Sequence, residues 1–184
     1  MWRAAAAAVA LAFGLAGQAS ALEARCAWDN LTPRTREALM AAYRSHGTDA
    51  FAQVEPSKAD GDRVLAACGP AAATGDGMSA LRMYVDEQGA AAWLSEHRRI
   101  SAGTLDAAWE AVSVEDRWLI LETAVAWIED GGKADPAFPA YDRLNASLGL
   151  TDDEGRLQGF IWAHARALRL VYEFKTRPAD ERKS

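Results

Sequence analysis

Residues 113–132 read SVEDRWLILETAVAWIEDGG, and this stretch predicts one well-delimited α-helix from Val114 to Asp130. Ser113 followed three residues later by Asp116 is a helix-start signal, and Gly131-Gly132 is a helix-end signal. Apolar residues recur at intervals of three and four, which places them on one side of the helix: Val114, Trp118, Leu121, Val125 and Ile128. We expect this apolar stripe to be buried and the helix to lie deep in a bundle.

The polar side of the same helix carries Glu115, Glu122 and Glu129 at seven-residue spacing, and we call these three residues the acidic ridge. A row of like charges on a helix is most often a face that water solvates. The alternatives are a site for a cation or a basic partner, or the acid of a hydrolase that acts on cell-wall glycan. A glycosidase also needs a second carboxylate about 5–10 Å away, which sequence spacing does not reveal.

The same helical signals recur along the rest of the chain. Pro33 directly follows Thr32, and Ser57 precedes Asp60 by three residues; both patterns are typical of helix starts. No segment alternates apolar and polar residues over the length of a half-buried strand. The sequence therefore predicts an all-α fold, a compact single-domain bundle of six to eight helices over residues 22–176.

The two ends of the chain are predicted to lie outside this domain. Residues 1–21 combine a basic Arg3, an apolar run and the small residues Ala19-Ser20-Ala21, which is the pattern of a cleavable signal peptide. The apolar run is shorter than the roughly 20 residues that span a bilayer, so no membrane insertion is expected after cleavage. Residues 177–184 predict a flexible charged tail. The expected location is the periplasm or the medium outside the cell.

Cys26 and Cys68 are the two cysteines of the chain. In an oxidising compartment such a pair predicts an intramolecular disulfide. A metal site or a catalytic thiol is the alternative reading, but neither cysteine has a second cysteine or a histidine at ligand spacing. No cofactor, metal or catalytic motif is recognised elsewhere in the sequence, which favours a protein without cofactor or enzymatic activity.

The last predicted helix, over residues 152–176, contains the candidate recognition patch. Trp162 lies in the middle of the polar side of this helix. Arg166 follows it one helical turn later, and Arg169 lies near both on the same side. A tryptophan that faces water is stabilised when an arginine stacks on it or when another surface covers it. We therefore take Trp162, Arg166 and Arg169 as the patch. His164 lies in the apolar arc and is expected to be a hydrogen-bonded core residue.

The net charge of the chain bears on which partners it can bind. The formal net charge of −6 disfavours nucleic acid, because its phosphates repel an acidic chain. The leading hypothesis is a non-catalytic binding or envelope-accessory protein whose partner is an envelope protein or a cell-wall component. The alternatives are the glycan hydrolase described above and a chaperone-like protein, which predicts a large concave apolar surface.

Two helix openings, Leu31-Thr32-Pro33 and Leu150-Thr151-Asp152, resemble the Leu-Thr-x-x-Gln openings of small periplasmic stress chaperones. Thr35 and Glu154 stand where that family has glutamine. The resemblance covers only a few residues at each place, and a threonine before a helix is also what capping requires. No function is carried over from it.

Overall fold

The computed structural model describes residues 23–132 and 138–177, and within these ranges every regular element is a helix. Eight α-helices have seven or more residues, and one further α-helix is a single turn. In chain order the helices are α1 (Ala24–Asn30), α2 (Pro33–His46), α3 (Ala50–Gln53), α4 (Lys58–Cys68), α5 (Gly75–Arg98), α6 (Ala102–Ala111), α7 (Val114–Glu129), α8 (Phe138–Ser147) and α9 (Asp153–Lys175). The predicted all-α bundle is confirmed.

Side-chain caps fix where helices begin and also tie helices together. Ser57 and Asp60 form the reciprocal capping box that the sequence predicts at the start of α4. The buried carboxylate of Asp60 also accepts hydrogen bonds from the backbone N–H of Thr32 at 2.7 Å and from Thr35 Oγ1 at 2.8 Å. Because Thr32 is itself the cap of α2, one carboxylate orders the first turns of two helices.

The two longest helices, α5 and α9, pack along each other at the centre of the bundle. Glycines permit close approaches on both of them. At Gly89 of α5 the ring of Tyr43 from α2 lies against the helix, and a Cβ atom there would be 2.3 Å from Tyr43 Cγ. At Gly159 of α9 a Cβ atom would be 2.1 Å from Asn145 Oδ1 and 2.6 Å from Leu150 Cδ1. These contacts require glycine at both positions.

Replacing Gly89 with alanine is expected to lower the free energy of unfolding by about 1–3 kcal/mol, because the added methyl group overlaps the buried Tyr43 ring. Gly61→Ala is the matched control. Gly61 lies in α4 with open space around its Cβ position, so alanine there should stabilise the protein by about 0.5–1 kcal/mol. Urea denaturation followed by circular dichroism measures both variants, and an equal effect in the two would contradict the close contact.

Two apolar clusters form the core. The larger one surrounds Trp162 and draws its buried residues mainly from α5 to α9. The smaller one lies among α1, α2, α4 and the first half of α5, around Leu39 and Val85. Cys68, at the end of α4, packs against this smaller cluster and is disulfide-bonded to Cys26 of α1. The predicted disulfide is thus confirmed, and it attaches the first described helix to the core.

The remaining sequence features that concern export lie partly outside the described residues. The predicted signal peptide, residues 1–21, lies entirely outside the described residues. Of the predicted charged tail, residues 178–184 also lie outside them. Across residues 23–132 and 138–177, no helix has the length and apolar character needed to cross a membrane.

The orientation of α7 differs from the prediction. Ile120 and Ala124 are fully buried, whereas Val114 is 76% exposed and Trp118 is 68% exposed. The helix packs mainly against α9 and α8 on one side, and apolar residues occupy about half of its circumference, so their pattern does not select the buried side. The expectation that the whole stripe is buried is therefore wrong. The other members of the stripe are half-buried or partly exposed: Leu121, Val125 and Ile128.

Candidate functional site

A cleft of about 720 Å³ lies between α5 and α9 and is bordered by α1 and α6. Its buried or nearly buried lining residues are Glu87, Leu105, Trp162, Arg166 and Arg169. Its exposed lining residues are Glu23, Arg25, Ala102, Asp106 and Arg177. The cleft therefore has a charged interior as well as a charged rim.

Glu87 of α5 organises the interior of the cleft. Glu87 is 2% exposed, and its two carboxylate oxygens accept hydrogen bonds from two arginines of α9. Arg166 Nε donates to Oε1 at 2.8 Å, and Arg169 Nε donates to Oε2 at 2.7 Å. Because both arginine side chains are only about 15% exposed, these are largely desolvated ion pairs.

Two further carboxylates complete the network. Arg166 also forms an ion pair with Asp106 of α6. Arg169 Nη1 donates to both oxygens of Glu173, at 3.1 and 2.9 Å, and Glu173 Oε1 accepts the backbone N–H of Ala24 at 2.7 Å. Burial by itself lowers the pKa of Arg169, but Glu87 and Glu173 outweigh this effect and raise the pKa above its usual value. Arg169 is therefore a fixed positive charge.

Trp162 is buried, not exposed, and this corrects the expectation from the sequence. It is 1% exposed, and its ring meets the ring of Trp109 edge-on with the centroids 6.3 Å apart. The guanidinium of Arg166 lies over the Trp162 ring at 5.0 Å, so the predicted arginine stacking is present although the ring is covered. The reason for the error is that α9 packs against α5, α7 and α8, which leaves little of its circumference to water.

Carboxylates position both arginines, Arg166 and Arg169, but do not use all of their hydrogen-bond donors. Within the described residues, neither Arg166 Nη1 nor Arg169 Nη2 has a hydrogen-bond partner. An ion-pair network of this burial adds little stability compared with apolar packing of the same volume, because desolvation offsets most of the attraction. Its clear consequence is geometric: two guanidinium groups are held in place beside a cleft.

The sequence found part of this site and missed the rest. Trp162, Arg166 and Arg169 do lie together in the cleft. Glu87 was missed because an acidic residue in the middle of a helix gives no sign that it is buried. Asp106 was missed because its partner Arg166 lies 60 residues away. Glu173 lies four residues after Arg169, and this ion-pair spacing on a helix is the local signal that could have found it.

His164 is a hydrogen-bonded core residue, as predicted, and does not belong to the cleft. It is 8% exposed, and its Nδ1 is 2.8 Å from the hydroxyl of Tyr141. Its ring stacks on Phe160 and meets the edge of Trp127. Burial lowers the pKa of His164 from 6.5 to about 4, so the imidazole is neutral at physiological pH.

The acidic ridge lies away from the cleft, on the exposed side of α7, and all three of its glutamates are exposed. Glu115 and Glu122 line a shallow groove along that helix. In the part of the chain that the structure describes, no group of three or more His, Cys, Asp or Glu residues could hold a metal ion.

No family model, curated protein or solved structure matches the chain.

Proposed function

We propose that the protein is an exported, non-catalytic binding protein that holds a small zwitterionic ligand in the cleft between α5 and α9. The observation that carries the proposal is the pair of arginines, Arg166 and Arg169, which the buried Glu87 positions beside a cleft of about 720 Å³. A cleft of this size is within the range typical of small-molecule sites.

Preorganisation supports binding rather than a purely structural role. An arginine on the surface loses rotamer freedom when it binds a ligand, which weakens the association. Arg166 and Arg169 are already ordered by Glu87, Asp106 and Glu173, so this loss is largely avoided. Their partner-free amino groups suit a carboxylate, which accepts hydrogen bonds from guanidinium in good geometry.

The charge balance of the cleft favours a ligand that carries both signs. Among the residues that the structure describes, four acidic and four basic ones line it: Glu23, Glu87, Asp106, Glu173, Arg25, Arg166, Arg169 and Arg177. A simple anion would be repelled by the four carboxylates, and a simple cation would be repelled by the four arginines. Amino acids and short peptides, including the peptides of cell-wall material, carry an amine and a carboxylate and fit this arrangement.

The export part of the proposal rests on the disulfide and on the sequence. The Cys26–Cys68 bond is typical of proteins of the periplasm or the cell exterior, since the cytosol keeps thiols reduced. The first 21 residues have the composition of a secretory signal. Both features favour a periplasmic or secreted location.

Calorimetric titration of the purified protein with a panel of amino acids and dipeptides tests the ligand class. We expect the binding members of the panel to lose affinity when the carboxylate is amidated, and also when the amine is acetylated. Arg166→Gln should weaken binding by about tenfold or more, because it removes one charge-assisted hydrogen-bond donor worth roughly 1.5–3 kcal/mol.

Arg143→Gln is the control, because Arg143 is also paired with an aspartate, Asp116, but lies on α8 outside the cleft lining. It should leave affinity unchanged, and circular dichroism should show both variants folded. Equal binding of free and amidated ligands, or an equal loss in the two variants, would contradict the assignment.

A further inference from the structure

The exposed side of α7 carries large apolar side chains that the rest of the fold leaves uncovered. Trp118 is 68% exposed and Val114 76% exposed, and Leu119 and Val125 are 42% and 37% exposed. A single exposed apolar residue is ordinary, whereas several along one helix form a patch of the kind that partners cover. Val114, Trp118 and Leu119 line one groove together, so the residues are contiguous.

Among the described residues, the charged residues that line this groove are two glutamates. The groove is lined by Ser113, Val114, Glu115, Trp118, Leu119 and Glu122, with no basic residue among them. The nearest arginine in sequence, Arg117, is directed elsewhere, because its guanidinium donates to the carbonyl oxygens of Trp109 and Glu110. Arg143 of α8 pairs with Asp116 and also attracts Glu115. Among the described residues Glu122 and Glu129 form no ion pair, so their negative charge is available to a partner.

The spacing of these residues matches the surface that one helix presents to another. Val114, Trp118 and Val125 are separated by four and seven residues, and the ridge glutamates by seven. In paired helices, apolar residues at this spacing form the seam, and the charged residues beside the seam select the partner. A helix that packs on α7 would thus meet apolar side chains flanked by a row of carboxylates.

We propose that the exposed face of α7 is a docking surface for an amphipathic helix of another protein, with lysine or arginine beside its apolar stripe. Charge complementarity decides between the possible occupants. A second copy of this chain would bring its own acidic ridge and a net charge of −6 to the contact. An anionic lipid surface would be repelled in the same way. A basic helix matches both the apolar seam and the glutamates.

Fluorescence anisotropy with a labelled synthetic peptide tests the proposal at physiological ionic strength. The probe is a helical peptide of about three heptads with leucine at the seam and lysine at the flanking positions. A matched peptide has glutamate in place of lysine. We expect the lysine peptide to bind and the glutamate peptide not to bind. Trp118→Ser should weaken binding of the lysine peptide by about tenfold or more.

Two matched controls separate this surface from general attraction to an acidic protein. Leu65→Ser removes an exposed leucine of α4, 46% exposed, and should leave binding unchanged. Neutralising the ridge with Glu115→Gln, Glu122→Gln and Glu129→Gln should weaken binding and reduce its dependence on salt. The same charge change at exposed residues outside α7 should not: Glu37→Gln, Glu55→Gln and Glu96→Gln.

The proposal is overturned if the two triple variants bind equally, or if Leu65→Ser weakens binding as much as Trp118→Ser. It is also overturned if sedimentation equilibrium shows a dimer of this chain that Trp118→Ser dissociates. Stronger binding to anionic vesicles than to the lysine peptide would assign the surface to lipid instead. None of these results depends on the ligand of the cleft, so the two proposals stand or fall separately.

Discussion

Replacing Glu87 with methionine is expected to lower the free energy of unfolding by about 3 kcal/mol, because removal of one partner leaves two largely buried guanidinium groups without their shared carboxylate. Arg166 keeps Asp106 and Arg169 keeps Glu173, which places the expected loss at the lower end of the range for broken buried ion pairs. Methionine has the length and flexibility to fill the space of the glutamate side chain, so the effect comes from charge and not from a cavity.

Replacing all three residues together should cost much less than the single changes add up to. In the variant Glu87→Met, Arg166→Met, Arg169→Met apolar packing replaces the three most buried charges of the network. Asp106 is then exposed to water, and Glu173 keeps the hydrogen bond from the backbone N–H of Ala24. Changes in one interaction network are not additive, and apolar replacement of a whole buried network is often neutral or stabilising. We therefore expect the triple variant to be at least as stable as Glu87→Met.

Urea denaturation of the wild-type protein, the three single methionine variants and the triple variant measures these differences. Asp142→Ala is the control, because it breaks an ion pair with Arg156 in which both side chains are about half exposed, and its effect should stay within about 0.5 kcal/mol. A triple variant that is as unstable as the sum of its parts would mean that the network stabilises the fold. A folded triple variant that no longer binds ligand would instead assign the network to binding.

The contrast between helix starts and helix faces explains which parts of the fold the sequence predicts. A cap such as Ser57 with Asp60 is a local signal, since both partners lie within one turn and the hydrogen bonds form wherever the helix is placed. The side of a helix that becomes buried depends on neighbours far away in sequence. α7 is apolar over about half its circumference. The prediction centred the buried stripe on Val114 and Trp118 with Ile120 and Ala124 at its edge, whereas the fold buries Ile120 and Ala124 and exposes the other two.

The candidate site shows the same division. A local reading of α9 brings Trp162, Arg166 and Arg169 together, because residues three, four and seven apart share one side of a helix. It also assigns that side to water, which is wrong for Trp162. The acid that explains the burial of both arginines is Glu87, 79 and 82 residues away. Only the packing of α5 on α9 reveals this partnership.

Replacing Asp86 with asparagine is expected to have the opposite effect to Glu87→Met and to raise the free energy of unfolding at pH 8 by about 2 kcal/mol. Asp86 is 3% exposed, and in the described part of the chain its Oδ1 has no hydrogen-bond partner. Burial raises the pKa of Asp86 from 3.8 to about 7, while Arg82 opposes the rise and Asp49 adds to it. Two adjacent carboxylates of α5 therefore have opposite effects on stability. Glu87 is paired with arginines and stabilises the fold, whereas Asp86 has no ion pair within the described residues and destabilises the fold when it is ionised.

The direction of the pH dependence follows from this raised pKa. The folded protein holds the proton on Asp86 more tightly than the unfolded chain does, so the associated stability is complete below pH 3.8 and is lost as the pH rises to about 7. Above that range the ionised carboxylate costs about 4 kcal/mol relative to low pH. Asparagine removes this cost but leaves a buried amide without a partner, at roughly 2 kcal/mol, which gives the expected net gain.

Over nearly the same range of pH, His164 changes the free energy of unfolding in the direction opposite to Asp86. The variant Asp86→Asn can therefore distinguish the two contributions. The pKa of His164 is lowered from 6.5 to about 4, so the stability that depends on the neutral imidazole is complete above pH 6.5 and is lost as the pH falls toward 4. Between pH 8 and pH 5 the wild-type protein should thus change by only about 1 kcal/mol, since Asp86 contributes a gain of about 3 and His164 a loss of about 2.

Urea denaturation at pH 5 and pH 8 therefore separates the two groups. In Asp86→Asn only the histidine effect remains, and the variant should be about 2 kcal/mol less stable at pH 5 than at pH 8. Asp62→Asn, a change at an exposed residue of α4, should follow the wild-type protein at both values. If Asp86→Asn also follows the wild-type protein, Asp86 is ionised in the fold like an ordinary surface carboxylate, and the unpaired carboxylate next to Glu87 is not the source of instability at neutral pH.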